Sequence, residues 1–283
     1  MKRLGYHDPC PCQSGRKFGK CCSRRTATPR PIGQQHGSAR DLRGESHLAL
    51  VPSVVGNGKR FRAVLNTIHA RPPNETFHEF LVHLAKETFG RKWWQQQRGM
   101  LPSTEHAVIA WTRAFASVTR RAPIATATTD HGTHFETRGS GPARALLALG
   151  YDLYCLQVKD KLPEPLIMRL RDRRQFQSAR YEIAIAGIML RAGFEIRLID
   201  LEAWDKKHCE FEATHRTTGL RVAVEAKSRV RPGALHQPGE LAHAEDVSGL
   251  FNLVKKAAKQ GLEGVALVIF LDVNLPPSNP PFK

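Results

Sequence analysis

The sequence predicts a mixed α/β fold: a small N-terminal cysteine module, a helical middle region and a C-terminal core of helices and strands. Three observations predict it. Apolar residues recur at three- and four-residue spacing between about Leu48 and Leu170. From Phe194 onward the pattern changes to alternation, the period of a half-buried strand. Four of the six cysteines, Cys10, Cys12, Cys21 and Cys22, crowd into the N-terminus.

Four regions follow from this. Residues 1–24 form the cysteine module, and residues 25–46, rich in Arg, Gly, Pro, Gln and Ser, read as a basic flexible linker. Residues 47–174 are expected to be mostly helical. Phe77, Phe80, Leu81 and Leu84 share one helix face, as do Ala107, Ala110, Trp111 and Phe115, then Leu146, Leu147, Tyr151 and Leu153. Gly132 and residues 139–142 interrupt the pattern. Trp93 and Trp94, beside Arg91, Lys92 and Arg98, either stack on bases or anchor a helix end in the core, the commoner use.

Residues 175–283 form the last region. Residues 178–192 predict a helix that is apolar almost all round, with Gly193 as its stop. Strands follow at 194–199 and 209–214, and a Thr217-Thr218-Gly219 turn leads to a third at 222–228. Asp246 or Ser248 caps a helix running to Lys259, with Leu250, Val254 and Ala257 on its apolar stripe. The apolar run from Val265 to Asp272 predicts a central, fully buried strand.

The chain has 283 residues, 41% of them hydrophobic, and a net charge of +17 with a pI near 10.1. That charge favours a polyanionic partner, nucleic acid first and anionic membrane second. No apolar run reaches the roughly eighteen residues of a membrane span, and the N-terminus carries no secretory pattern. A cytoplasmic location and reduced thiols are therefore expected, which favours a metal site over a disulfide framework for the cysteine cluster.

The chemistry concentrates in the last region. Glu182 lies on the predicted helix, Glu210 on the second strand, and Glu225 and Lys227 on the third, where alternation gives the last two a common face. Carboxylates beside an ammonium can hold Mg²⁺ or Mn²⁺ and orient a water, with the Ala226 carbonyl as a further oxygen ligand. Lys227 would position that water and share the charge of the transition state. Glu212, on the same strand face as Glu210, is either an alternative ligand or the partner of a neighbouring arginine. Arg180, Arg229 and Arg231 are candidate phosphate clamps.

The order helix, three strands, helix, strand, with an acid on the second strand and Glu-x-Lys on the third, resembles the restriction-endonuclease-like, PD-(D/E)xK nuclease superfamily over about residues 175–275. The resemblance implies an αβββαβ core, Glu182 as the accessory acid of the first helix, Glu210 as the strand-two acid, and Glu225 with Lys227 as the Glu-x-Lys pair. Two positions depart from the family pattern: Glu210 stands where Asp is usual, and Cys209 where proline precedes it.

Cys10-Pro11-Cys12, eight residues, then Cys21-Cys22 resembles the SEC-C motif, a short zinc-binding module; Ser14-Gly15 and Phe18 fit it, and Gln13 replaces the usual glycine. Four thiolates close a tetrahedral Zn²⁺ site, and in so short a segment metal binding supplies most of the folding free energy. Arg16, Lys17, Lys20, Arg24 and Arg25 suit phosphates or an acidic protein. The expected function is a metal-dependent nuclease acting on DNA rather than RNA, with the zinc module for recognition. The alternative is an inactive adaptor that binds nucleic acid or protein. Cys155 and Cys209 read as packed hydrophobes, and the histidines, including His131, His134 and His215, offer no spacing for a second metal site.

Overall fold

The computed structural model describes residue 17 and residues 53–101, 103–120, 139–199, 208–231, 234–235 and 249–274, together with the backbone of 124–129 and 132–136. The chain divides into two units, Met1–Arg43 and Gly44–Lys283, and every helix and strand named here belongs to the second.

The first described elements of that unit are strands rather than a helix. β1 (Ser53–Gly56), β2 (Lys59–Val64) and β3 (Thr67–Arg71) form an antiparallel meander. Asn57 and Gly58 both take positive φ, 50° and 68°, in a two-residue turn that pairs Gly56 with Lys59. An Asn-Gly turn of this kind matches strand twist, so it overrides the helical expectation for this stretch. A second hairpin, β4 (Ile124–Thr129) with β5 (Gly132–Glu136), likewise lies within the region read as mostly helical.

The remaining described elements of 47–174 are helices. α1 (Phe77–Phe89) starts at a capping box, in which the Glu79 N–H donates to Thr76 Oγ1 at 3.2 Å and the Thr76 N–H to Glu79 Oε2 at 2.8 Å. Gly90, at φ 80°, ends it and leads into α2 (Arg91–Gln97). There Trp93 and Trp94 pack on the core, Trp93 with its ring 4.7 Å from Phe89, so the anchoring role is the observed one. α3 (Ala107–Arg120), α4 (Gly141–Val158) and α5 (Glu164–Arg171) complete the layer.

α6 (Phe176–Arg191) is the pivot. It packs against α4 and α5 on one side and against β6 (Phe194–Leu198) and β8 (Arg221–Ser228) on the other. One hydrophobic core therefore runs from Phe80, Leu84 and Leu153 through Phe176 and Ile183 to Phe211 and Val224, so residues 47–174 and 175–283 share their interior. The sheet has the order β6-β7-β8-β9, with β7 (Phe211–His215) antiparallel to both neighbours. α7 (Leu250–Ala257) and a 3₁₀ turn (Ala258–Gln260) carry the chain to β9 (Ala266–Asp272), which runs parallel to β8. The element order is thus helix, three strands, helix, strand.

β9 is not central or fully buried as its apolar run suggests. It is the last strand in the sheet order, pairs with β8, and leaves Val268 36% exposed. An unbroken apolar run marks a strand with both faces partly covered, and says nothing of its place in the sheet. The expected caps of α7, Asp246 and Ser248, lie outside the described residues.

α4 sits close enough to α1 that a Cβ at Gly150 would stand 2.9 Å from the Leu81 carbonyl oxygen. Backbone cannot yield as a side-chain tip can. Gly150→Ala is expected to destabilise the protein by about 1–3 kcal/mol, read as a lowered urea midpoint at unchanged slope. A midpoint equal to wild type would show that the α1–α4 contact is looser than its geometry.

Candidate functional site

Pairing of Phe211 with Val224 carries Glu210, one residue before β7, alongside Glu225 on β8. The Glu210 N–H donates to the Val224 carbonyl at 3.0 Å, which continues the ladder to this point. Alternation then gives Glu210, Glu225 and Lys227 one face of the sheet. The side chains meet there. Lys227 Nζ lies 3.5 Å from Glu210 Oε1 and forms an ion pair with Glu225 Oε1. Glu225 is wholly buried, yet neither of its carboxylate oxygens accepts a well-formed hydrogen bond.

Glu182 approaches from α6 and is held by a residue that sequence alone did not suggest. Arg169 of α5 grips it in a two-pronged pair, Nη1 to Oε2 at 2.6 Å and Nη2 to Oε1 at 2.5 Å. Three carboxylates therefore face two cations in a largely dry region. Burial, reinforced by Glu210, pushes the Glu182 carboxyl up to about 7 despite Arg169. Burial and then Glu225 raise Glu210, and burial raises Glu225 against the pull of Lys227. Burial alone would lower the Lys227 ammonium, but Glu225 and Glu210 together hold it above its ordinary range.

Glu212 does not join this group. Arg221 and Arg197 both pair with it, and these hydrogen bonds bring its carboxyl down to about 2, so it is an arginine partner and not a ligand. Among the described residues no ion pair joins Arg180 or Arg229 to a carboxylate. Arg180 keeps its Nε buried without a hydrogen bond, and Arg231 donates to the Asn274 carbonyl at 3.4 Å.

The end of β8 is fixed by contacts that no sequence pattern announced. Gln177 Nε2 donates to Ser228 Oγ at 2.9 Å and to the Arg229 carbonyl at 2.7 Å, and Ser228 Oγ donates to Asp272 Oδ2 at 2.8 Å. Helix α6 and strand β9 thus clamp the residue that follows Lys227. Cys155 and Cys209 are buried, as packed hydrophobes are. Burial raises both thiols, away from nucleophilic character.

The donor set suits a hard divalent cation. Carboxylate oxygens are the ligands Mg²⁺ and Mn²⁺ prefer, and at buried Glu225, which has the Lys227 ion pair but no well-formed hydrogen bond, a cation would satisfy the carboxylate. Glu210 and Glu225 would hold it, with Glu182 available only on release from Arg169.

Residues 8–24 match the SEC-C motif. The match spans a short part of the chain, and the SEC-C cysteines, Cys10, Cys12, Cys21 and Cys22, lie outside the described residues, as do the 25–46 segment and His131. Comparison with curated proteins and with solved structures gave no match. No described helix is long and apolar enough to cross a membrane.

Lys227 is the cation in contact with both strand carboxylates, so Lys227→Met should leave Glu210 and Glu225 buried against Arg169 alone. The expected loss at neutral pH is on the order of 3 kcal/mol. In the folded variant both carboxyl pKa values would stand above their unfolded values. The unfolded chain then holds fewer protons than the folded one between those values, so stability should recover as pH falls from 7 toward 5. Denaturant melts at both pH values test this, and a variant equally unstable at pH 5 would show that Lys227 acts through packing.

Proposed function

We propose that the chain is a divalent-metal-dependent nuclease acting on DNA, its C-terminal core similar to the restriction-endonuclease-like, PD-(D/E)xK superfamily. The observation that supports it best is the meeting of Glu210, Glu225 and Lys227 on adjacent strands of a helix–three strands–helix–strand arrangement. The net charge of +17 suits a phosphate-rich substrate. Mg²⁺ or Mn²⁺, when bound, would acidify a water and neutralise charge on the phosphate. Lys227 orients that water through its ammonium, and Arg229 and Arg231 steady the phosphate backbone at the end of β8. Gln177 and Ser228 keep the end of β8 still while they do so.

The SEC-C segment is proposed to hold one structural Zn²⁺ through Cys10, Cys12, Cys21 and Cys22, and to serve recognition of nucleic acid or of a protein partner. A second reading, an adaptor without turnover, draws on a specific observation: Arg169 and Lys227 already neutralise Glu182 and Glu225. In that case the cluster is structural, and the SEC-C segment and the basic surface do the binding.

Plasmid DNA and RNA incubated with the full chain in Mg²⁺, Mn²⁺ or EDTA separate the two. Cleavage of DNA with either metal, none in EDTA, and none by Glu225→Gln under conditions where DNA binding persists, is the expected result. Binding without cleavage in either metal would establish the adaptor. For the SEC-C segment, Cys21→Ser with Cys22→Ser should lose one equivalent of zinc by elemental analysis relative to the wild-type chain, and unchanged zinc would rule out this ligand set.

A further inference from the structure

His69 on β3 and His83 and Glu87 on α1 converge although 14 residues separate the two histidines in sequence. His69 Nδ1 lies 3.2 Å from Glu87 Oε2, and His83 Nε2 lies 3.1 Å from Glu87 Oε1. All three donor groups present an atom within 4.8 Å of the others. His83 and Glu87, four residues apart, share one face of the helix. The two imidazoles stand edge to face at 87°, and the edge of His69 against Phe80 fixes its ring.

We propose that His69, His83 and Glu87 form a third divalent-metal site, of the zinc class, which joins the β-meander to α1. With metal–nitrogen bonds of about 2.0–2.1 Å, donor atoms of a tetrahedral site stand roughly 3.3 Å apart. Each imidazole lies near that distance from its own Glu87 oxygen, and all three donors lie within 4.8 Å. Two imidazoles and one carboxylate are borderline donors that select Zn²⁺ over Mg²⁺. Nearby Glu75 is already taken by Arg62 and Arg71, at 2.8 and 2.7 Å, which leaves Glu87 as the acid that faces the histidines. His69 and Glu87 line a cavity of about 320 Å³ with Thr67, Thr88 and Gln157, while His83 lines a separate cavity with Glu79 and Lys86. His69 keeps only 5% of its side chain exposed, whereas Glu87 is half exposed, so a cation can enter from the Glu87 side.

This site is separate from the carboxylates of the sheet and does not rest on the nuclease reading. It also uses none of the SEC-C cysteines, so zinc bound by the two can be told apart. The full chain is stripped with chelator, reloaded with Zn²⁺, gel-filtered and analysed for metal. The expected result is that His83→Gln and Glu87→Gln each lose one equivalent relative to the wild-type chain, while Cys21→Ser with Cys22→Ser loses a different one. Equal zinc in the wild-type chain and in a folded His83→Gln or Glu87→Gln variant overturns the proposal. If those variants fail to fold, X-ray absorption on the zinc-loaded wild-type chain decides without substitution. Nitrogen and oxygen neighbours support the site, and a shell of sulfur alone, or no bound zinc, overturns it.

Discussion

Helix α6 is apolar on two sides and must therefore be covered twice, by the helices α4 and α5 and by the sheet. That double burial sets where everything else can go. At its start Gln177 reaches Ser228 and the Arg229 carbonyl, in its middle Glu182 meets Arg169, and at its end Arg191 pairs with Asp152 of α4 at 2.6 Å. Each of these polar side chains is one that a doubly buried helix must satisfy, and each ties α6 to a different neighbour. Gly187 belongs to the same constraint: a Cβ there would stand 2.7 Å from Asp152 Oδ1, so a larger residue would make the α4 carboxylate shift.

With α6 fixed, the carboxylate cluster follows from the sheet register. Glu225 is carried to a wholly buried place by the pairing of β8 with β7 and β9, and Glu210 arrives beside it. Placing ionisable groups there is electrostatically costly, as the raised carboxyls show. Apolar residues in place of the whole set of paired charges, rather than of Glu225 alone, would often cost no stability. The cluster is thus poorly explained as a device for stability. Its two cations differ in kind: Arg169 binds Glu182 through two parallel hydrogen bonds, whereas Lys227 offers a single ammonium shared between two acids. A shared point charge is the easier of the two for an incoming metal ion to displace.

The C-terminal core was legible in the sequence because its signals are local. Alternation in 194–199 and 222–228, the positive-φ Gly219 between two strands, and the all-round apolar helix each specify an element within a few residues. Elements that depend on partners far away were not. The meander at 53–71 carried a local signal, Asn57-Gly58, that helical spacing downstream concealed. Arg169 could be any exposed helix arginine until α5 is packed on α6. Glu212 shares its strand face with Glu210, and only the positions of Arg197 on β6 and Arg221 on β8 show which acid is neutralised. His69 has no sequence neighbour of its own kind within reach, and the fold alone brings it to the i, i+4 pair on α1.

The proposed metal sites use three donor sets that differ in softness, and on that proposal the difference would sort the metals. Thiolates of the SEC-C segment suit zinc in a closed tetrahedron, imidazoles with one carboxylate suit zinc with a position open, and carboxylates alone suit Mg²⁺ or Mn²⁺. Lys227 and Arg169 sharpen the sorting at the last set, because a cation entering there must compete with two positive charges. A strongly hydrated ion that brings its own waters and a phosphate ligand gains more from such a place than one that must be enclosed by protein. On the proposed nuclease reading, the negative charge of a phosphodiester would offset the competing cations, so metal and substrate would favour one another's binding. Reciprocity then requires that each raise the affinity of the other by the same factor.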